Sequence, residues 1–168
     1  MKFIVDKSYW NLFPDSKLGV LLLKNIQNGE STDEIKSILK EANNEAKKYL
    51  TKEILSENPV IAVWREAYKK FKTKKGVRSS IEALLKRVNS GNPVSSINKF
   101  VDIYNSASLK YGLPCGAEDL DSFVGDLKLT ITQGGDKFIP LGSDEEDNTL
   151  PNELCYIDDE GAICRCFN

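Results

Sequence analysis

The segment from Ile97 to Asp121 constrains the fold most, because it combines an amphipathic helix with a fixed stopping point. Apolar and small residues recur there at helical spacing: Ile97, Phe100, Val101, Tyr104, Ala107, Ser108 and Tyr111. Gly112 stands where a left-handed residue would end the helix, and Pro114 prevents its continuation. The sequence therefore predicts a helix followed by a loop of small and acidic residues, in which a ligand could approach the backbone.

Two further helices are predicted from capping boxes, in which a serine is followed three residues later by a glutamate. These are Ser31–Glu34 and Ser79–Glu82, and an apolar stripe at helical spacing follows each of them. Another stripe predicts a helix over residues 60–71. We expect Ser95 or Ser96 to cap the helix that begins near Ile97.

Strand patterns occupy both ends of the chain. Residues 1–5 and the apolar run 17–25 predict N-terminal strands. The alternating segment 127–131 predicts a strand, with a turn at 133–136 and a return strand over 137–141. A second hairpin is expected from strands at 154–157 and 162–167. This order predicts an α+β fold with N-terminal strands, a helical middle and a C-terminal antiparallel meander.

The length of 168 residues suits a single domain, residues 1–168, in which 1–58 forms an N-terminal part. Because an apolar strand runs to the last residues, we expect the native protein to continue beyond Asn168. No apolar run has the length of a membrane span, so we expect no membrane contact. Four irregularly spaced cysteines favour a reducing, cytoplasmic location over a disulfide framework.

The chain contains no histidine, which excludes a histidine general base, Cys–His and Ser–His couples, and Cys/His zinc sites. Cys164 and Cys166 could place two thiols on one face of a strand. Without a C-x-x-C pair, small apolar core residues are the better interpretation. We therefore expect no metal and no cofactor.

Charge is distributed unevenly along a chain whose net charge is −2. Residues 65–87 hold nine cations and two acids, whereas acids dominate after Glu118. Such an asymmetry can present a basic face to a polyanion, and the alternative is an ordinary solvated helix face. The candidate RNA-binding residues are Lys69, Lys70, Lys72, Lys74, Lys75 and Arg78.

The loop after the long helix holds the candidate chemical groups. Cys115 could be a nucleophile, but no base accompanies it. Glu118 and Asp119 could act as catalytic carboxylates, or they could bind backbone N–H groups of their own loop.

The stretch INKFVDIYNSASLKYGLPCGAED resembles I-N-x-V-V-D-x-T-N-Y-x-x-L-x-x-G-Q-P-L-H-A-F-D of the B3/B4 domain in the bacterial phenylalanyl-tRNA synthetase beta subunit. The shared residues are Ile97, Asn98, Val101, Asp102, Asn105, Leu109, Gly112, Pro114 and Ala117. Three upstream segments resemble free-standing bacterial B3/B4-domain proteins: W-R-E-A-Y, V-R-S-S-I-E-A-L-L-K-R-V and G-N-P-V-S-S-I-N. The resemblance covers about 60–167 and implies an α+β scaffold with a pocket. The implied pocket residues are Asn98, Asp102, Tyr104, Asn105, Cys115, Gly116 and Ala117.

In the synthetase, this domain hydrolyses tyrosine that has been wrongly attached to the phenylalanine tRNA. Such editing is needed because a hydrophobic pocket for phenylalanine cannot strongly reject a side chain that only adds a hydroxyl. The editing threonine and histidine of that family fall on Tyr104 and Gly116 here, and its later glutamate falls near or beyond Asn168. The resemblance thus implies a module that binds tRNA or its aminoacyl end. The alternatives are a stand-alone aminoacyl-tRNA deacylase, with Glu118 or Asp119 orienting water, and a small-ligand or protein-binding module.

Overall fold

The computed structural model describes residues 1–167. Over these residues it confirms the α+β class. The helices are α1 Lys7–Leu12, α2 Asp33–Glu45, α3 Pro59–Tyr68, α4 Ser80–Asn89 and α5 Lys99–Tyr111, and the strands are β1 Phe3–Val5, β2 Leu127–Ile131, β3 Leu154–Ile157 and β4 Ala162–Arg165. Short 3-10 helices cover Ala46–Tyr49, Leu55–Glu57 and Leu120–Ser122.

The chain divides into two compact units. The sheet unit comprises Met1–Gly19, Ala67–Val77 and the described residues from Glu118 onward. The helical unit comprises Val20–Glu66 and Arg78–Ala117.

The sheet unit is built on four strands in the order β1-β2-β3-β4. β1 runs parallel to β2, whereas β3 pairs antiparallel with both β2 and β4. The strands predicted over 1–5, over 127–131 and in the last hairpin are therefore confirmed, although β1 begins at Phe3 and β4 stops at Arg165. Buried side chains of its core are Tyr9, Phe71, Leu129, Leu154 and Cys166.

The predicted return strand over 137–141 is wrong, because β2 pairs directly with β3. Gly134 and Gly135, with φ angles of +87° and +84°, do turn the chain. Residues 137–141 make only scattered backbone hydrogen bonds, such as the one that Phe138 O accepts from the Asp147 N–H at 2.7 Å. Pro140 lacks the N–H that a regular ladder would use.

The predicted strand over 17–25 is also wrong. This segment has no regular secondary structure, and Val20, Leu21 and Leu22 are 68%, 81% and 57% exposed. A strand needs a neighbour that satisfies its backbone groups, and within residues 1–167 no strand pairs with this segment. An apolar run alone is therefore not sufficient to make a strand.

The helical unit has a separate apolar core. Its buried members are Leu39, Ala42, Ala46, Ile61, Ile81, Leu85, Val88, Val94 and Leu109. The helices predicted from apolar stripes are confirmed, but two of them are shorter than expected. The first changes to a 3-10 helix at Ala46, and α3 ends at Tyr68.

Two of the predicted caps are wrong by a few residues. Thr32 rather than Ser31 caps α2, and Asn98 rather than Ser95 or Ser96 caps α5. The serine hydroxyls at 31 and 96 instead bind a buried carboxylate described below. The predicted cap of α4 is confirmed, since Ser79 Oγ accepts the Glu82 N–H.

The predicted stop of the long helix is confirmed at Gly112. This residue has φ +69°, and its N–H donates to Ser108 O at 2.8 Å. A Cβ placed there would lie 2.7 Å from Val60 Cγ2 and 3.0 Å from Tyr49 Cζ. The position therefore requires glycine both for its backbone conformation and for its close packing.

We expect Gly112→Ala to lower the free energy of unfolding by about 3 kcal/mol, from a left-handed backbone cost and an added steric clash. Gly91→Ala is the matched control, because Gly91 has φ +76° and an added Cβ would meet nothing within 4 Å. It should cost only about 1 kcal/mol. Urea unfolding measures both, and equal losses would show that packing at Gly112 is unimportant.

Candidate functional site

Asp102 lies fully buried in the helical unit, with its carboxylate surrounded by hydrogen-bond donors. Its Oδ2 accepts the Ser31 and Ser96 hydroxyls, and its Oδ1 accepts the Ile97 N–H at 2.8 Å. Burial acts to raise the pKa of Asp102, but these hydrogen bonds outweigh it, and the pKa lies below its usual range. The carboxylate is therefore charged, and its oxygens are engaged within the fold.

Of the other pocket residues predicted on or beside α5, Asn98 also contributes to the scaffold. Asn98 Oδ1 caps the helix by accepting the Val101 N–H at 3.0 Å, and its carbonyl accepts the Asp102 N–H at 2.9 Å. Asn105 is buried, and Tyr104 is half-buried. The start of the helix thus brings Asn98 and Asp102 into direct contact.

The loop that follows α5 is more accessible. Cys115 is half-buried, whereas Gly116 and Ala117 are exposed. A Cβ added at Gly116 would meet nothing within 4 Å, so the backbone there is open to an approaching group. Burial raises the pKa of the Cys115 thiol, which keeps it protonated at neutral pH and makes it a poor nucleophile.

The two predicted catalytic carboxylates, Glu118 and Asp119, belong to the sheet unit, and both are exposed. Asp119 Oδ1 accepts the Asp121 N–H at 3.1 Å, as a cap of the short 3-10 helix. Partial burial raises the pKa of Glu118 although its side chain remains accessible to solvent. Asp119 thus binds its own loop, whereas Glu118 combines an exposed side chain with a raised pKa.

A shallow groove of about 240 Å³ lies between α2 and α5 in the helical unit. It is lined by Ile38, Glu41, Ala42, Glu45, Ile103, Ser106, Ala107, Lys110 and Tyr111. None of the predicted pocket residues lines this groove.

Sequence reasoning missed a charged cluster around Glu82. The side chain of Glu82 is only 3% exposed, and it forms ion pairs with Arg65 at 2.6 Å and Arg78 at 3.2 Å. The capping-box pattern assigns this glutamate a role at the start of α4 only. The i,i+4 spacing of Arg78 and Glu82 is a local signal for one of these pairs, whereas the Arg65 contact joins different helices.

The five predicted RNA-binding lysines lie in the sheet unit, and all are exposed. Lys70 Nζ donates to Leu12 O at 2.9 Å and lies 5.0 Å from the centre of the Phe13 ring. Lys74 forms an ion pair with Asp147. Part of this basic segment is therefore used within the fold, although every lysine remains accessible.

Two cysteines of the sheet unit lie in surroundings that disfavour the thiolate form. Cys155 and Cys166 are buried, and burial together with the nearby Glu153 raises the pKa of Cys166 to about 12. Metal ligation requires thiolates, which these surroundings disfavour. Over residues 1–167 no group of three or more Cys, Asp or Glu side chains is placed to hold a metal ion.

A family model described as the B3/4 domain matches residues 63–168, which is more than half of the chain. A comparison with curated proteins found no match. A comparison with solved structures also found none.

In the part of the chain that the structure describes, no helix is long and apolar enough to cross a membrane.

We expect Asp102→Asn to lower the free energy of unfolding at pH 7 by about 2 kcal/mol, because its charge-assisted hydrogen bonds are removed. The pKa of Asp102 is lowered in the folded state, so its contribution is present above about pH 4 and is lost as the pH falls through the folded-state pKa. The difference between wild type and variant should therefore shrink in acid.

Urea unfolding at pH 7 and pH 3 measures this difference, with the exposed Glu41→Gln as control. A pH-independent difference would contradict the assignment of a charged, stabilising Asp102.

Proposed function

The chain belongs to the B3/4 domain family, and on that premise we propose that it binds RNA, recognising tRNA or its aminoacyl end. Phosphate contacts from lysine and arginine supply a large share of the affinity in such binding. The loop residues Cys115, Gly116 and Ala117 would receive the terminal group of the RNA, because the chain there is accessible and small.

One observation carries this proposal: all six cations predicted to contact RNA are exposed. They are Lys69, Lys70, Lys72, Lys74, Lys75 and Arg78. Their density contrasts with the overall charge of −2, so the basic segment is a local feature of the sequence rather than a general one. Electrostatic binding of this kind is sensitive to salt.

In a gel-shift assay, we expect the wild-type protein to retard bulk tRNA at low salt. At higher salt the complex should dissociate. Lys72→Gln with Lys75→Gln should reduce the slope of log K against log salt by about 0.7–0.9 for each phosphate that these lysines neutralise in the wild-type complex. Both side chains are exposed, and neither forms an ion pair within residues 1–167. Lys36→Gln with Lys40→Gln, on α2, is the matched control and should leave the slope unchanged.

Absence of any shift at low salt would refute RNA binding. An unchanged slope in the Lys72 and Lys75 variant would remove these two residues from the interface.

A second candidate is a stand-alone deacylase that hydrolyses mischarged aminoacyl-tRNA. The observation that favours it is Glu118, an exposed carboxyl group whose pKa is raised by partial burial. A carboxylate of higher pKa is a stronger base and could orient and deprotonate water at the ester. The substrate hydroxyl and backbone amides would have to replace the family's editing residues, since Tyr104 and Gly116 stand at those positions.

Release of labelled amino acid from a panel of mischarged tRNAs tests this second candidate. We expect Glu118→Gln to slow release by about 100-fold or more, as for the removal of a general base. Asp121→Asn, a nearby exposed carboxylate, is the control and should retain the rate. If the wild-type protein releases nothing from any tRNA of the panel, the hydrolase function is excluded.

A further inference from the structure

Two arginines converge on one buried carboxylate in the helical unit. Arg65 donates through Nη2 to Glu82 Oε1 at 2.6 Å and through Nε to Oε2 at 3.2 Å. Arg78 Nε lies 3.2 Å from the same Oε1. The side chain of Glu82 is 3% exposed, so it is fixed in place and defines where both guanidinium groups lie.

The arginines themselves remain open to solvent. Their side chains are 46% and 44% exposed, in contrast to the carboxylate between them. A guanidinium group has five N–H donors, and Arg65 directs only its Nε and one terminal nitrogen at Glu82. Donors on the outer edges are thus available to a second acceptor, in the geometry that suits phosphate oxygens.

The charge of this cluster does not balance. A single buried carboxylate is neutralised by one arginine, so the second leaves an excess positive charge. Lys86 adds another, because it is exposed and lies four residues after Glu82 on the same face of α4. An ion pair that served only to join α3 and α4 would need neither Arg78 nor Lys86.

We propose that Arg65, Arg78 and Lys86 form a phosphate-binding surface for the RNA backbone, and that Glu82 is the positioning residue that orients both guanidinium groups. This inference rests on the proposed RNA binding and extends it to two cations outside the lysine-rich segment. Contacts to phosphate position the RNA and carry no sequence information. The contribution of this surface is therefore the same for different RNA sequences.

Gel-shift titrations of bulk tRNA over a range of salt concentrations test this surface. The combined variant Arg65→Gln, Arg78→Gln and Glu82→Gln removes both guanidinium groups without leaving a buried charge unpaired. It should reduce the slope of log K against log salt by about 1.4–1.8, as expected when two phosphates are no longer neutralised. Lys86→Gln should reduce the slope by about 0.7–0.9.

The control is again Lys36→Gln with Lys40→Gln. It removes two positive charges, whereas the combined variant changes the net charge by only one. If the surface is specific, the combined variant should bind tRNA more weakly than the control, although its net charge changes less. Urea unfolding verifies that each variant is folded. If the combined variant does not fold, Lys86→Gln decides the outcome, because Lys86 is exposed and takes no part in the ion pairs of Glu82.

The outcomes separate this inference from the function on which it rests. If wild-type protein does not shift tRNA at low salt, both are overturned. If wild type binds but the Arg65, Arg78 and Lys86 changes leave the affinity and the slope at wild-type values, RNA binding stands and this surface is refuted. Equal weakening by the α2 control would also refute it, because the effect would then be one of general charge.

Discussion

The helical unit depends on one buried carboxylate, Asp102. Its two oxygens accept hydrogen bonds from Ser31, Ser96 and the Ile97 backbone, so the start of α2, the approach to α5 and α5 itself share a single acceptor. A buried charge without such partners would lower the free energy of unfolding by about 3–5 kcal/mol. The same hydrogen bonds that lower the pKa of Asp102 therefore also fix where two helices begin, and the apolar core packs on that arrangement.

Each unit also pairs a buried glutamate with arginine, but with different consequences. In the sheet unit, Arg165 donates to Glu153 through Nε at 2.9 Å and Nη2 at 2.7 Å, and its side chain is only 10% exposed. That pair ties the long loop before β3 to β4 and leaves little of the guanidinium accessible. Around Glu82 the carboxylate is equally buried, but both arginines are nearly half exposed. Exposure of the cation, rather than the ion pair itself, separates a structural contact from one that can also hold a ligand.

The match to the B3/4 domain covers residues 63–168 and by itself assigns no reaction. Asp102 and Asn98, which the family motif shares, serve as a buried acceptor and a helix cap, so the motif is explained in part by the needs of the fold. By the sequence resemblance, Tyr104 and Gly116 are expected at the positions of the synthetase's editing threonine and histidine. Binding through exposed cations requires neither of those groups, whereas hydrolysis would need a replacement for both. The residues present therefore suit the proposed RNA recognition better than the proposed deacylation.

The sequence by itself determined the elements whose signals are local. The stripe of α5, its end at Gly112, the Ser79 cap and the β3–β4 hairpin depend on residues a few positions apart, so periodicity and capping rules sufficed. Only the tertiary structure decided features whose partners are distant in sequence. Ser31 binds an acceptor 71 residues away instead of capping α2, and Glu82 meets Arg65 from another helix. Within residues 1–167, the run at 17–25 has no strand to pair with. Hydrogen-bond and ion-pair partners of this kind are chosen by burial and long-range packing, which local patterns do not encode.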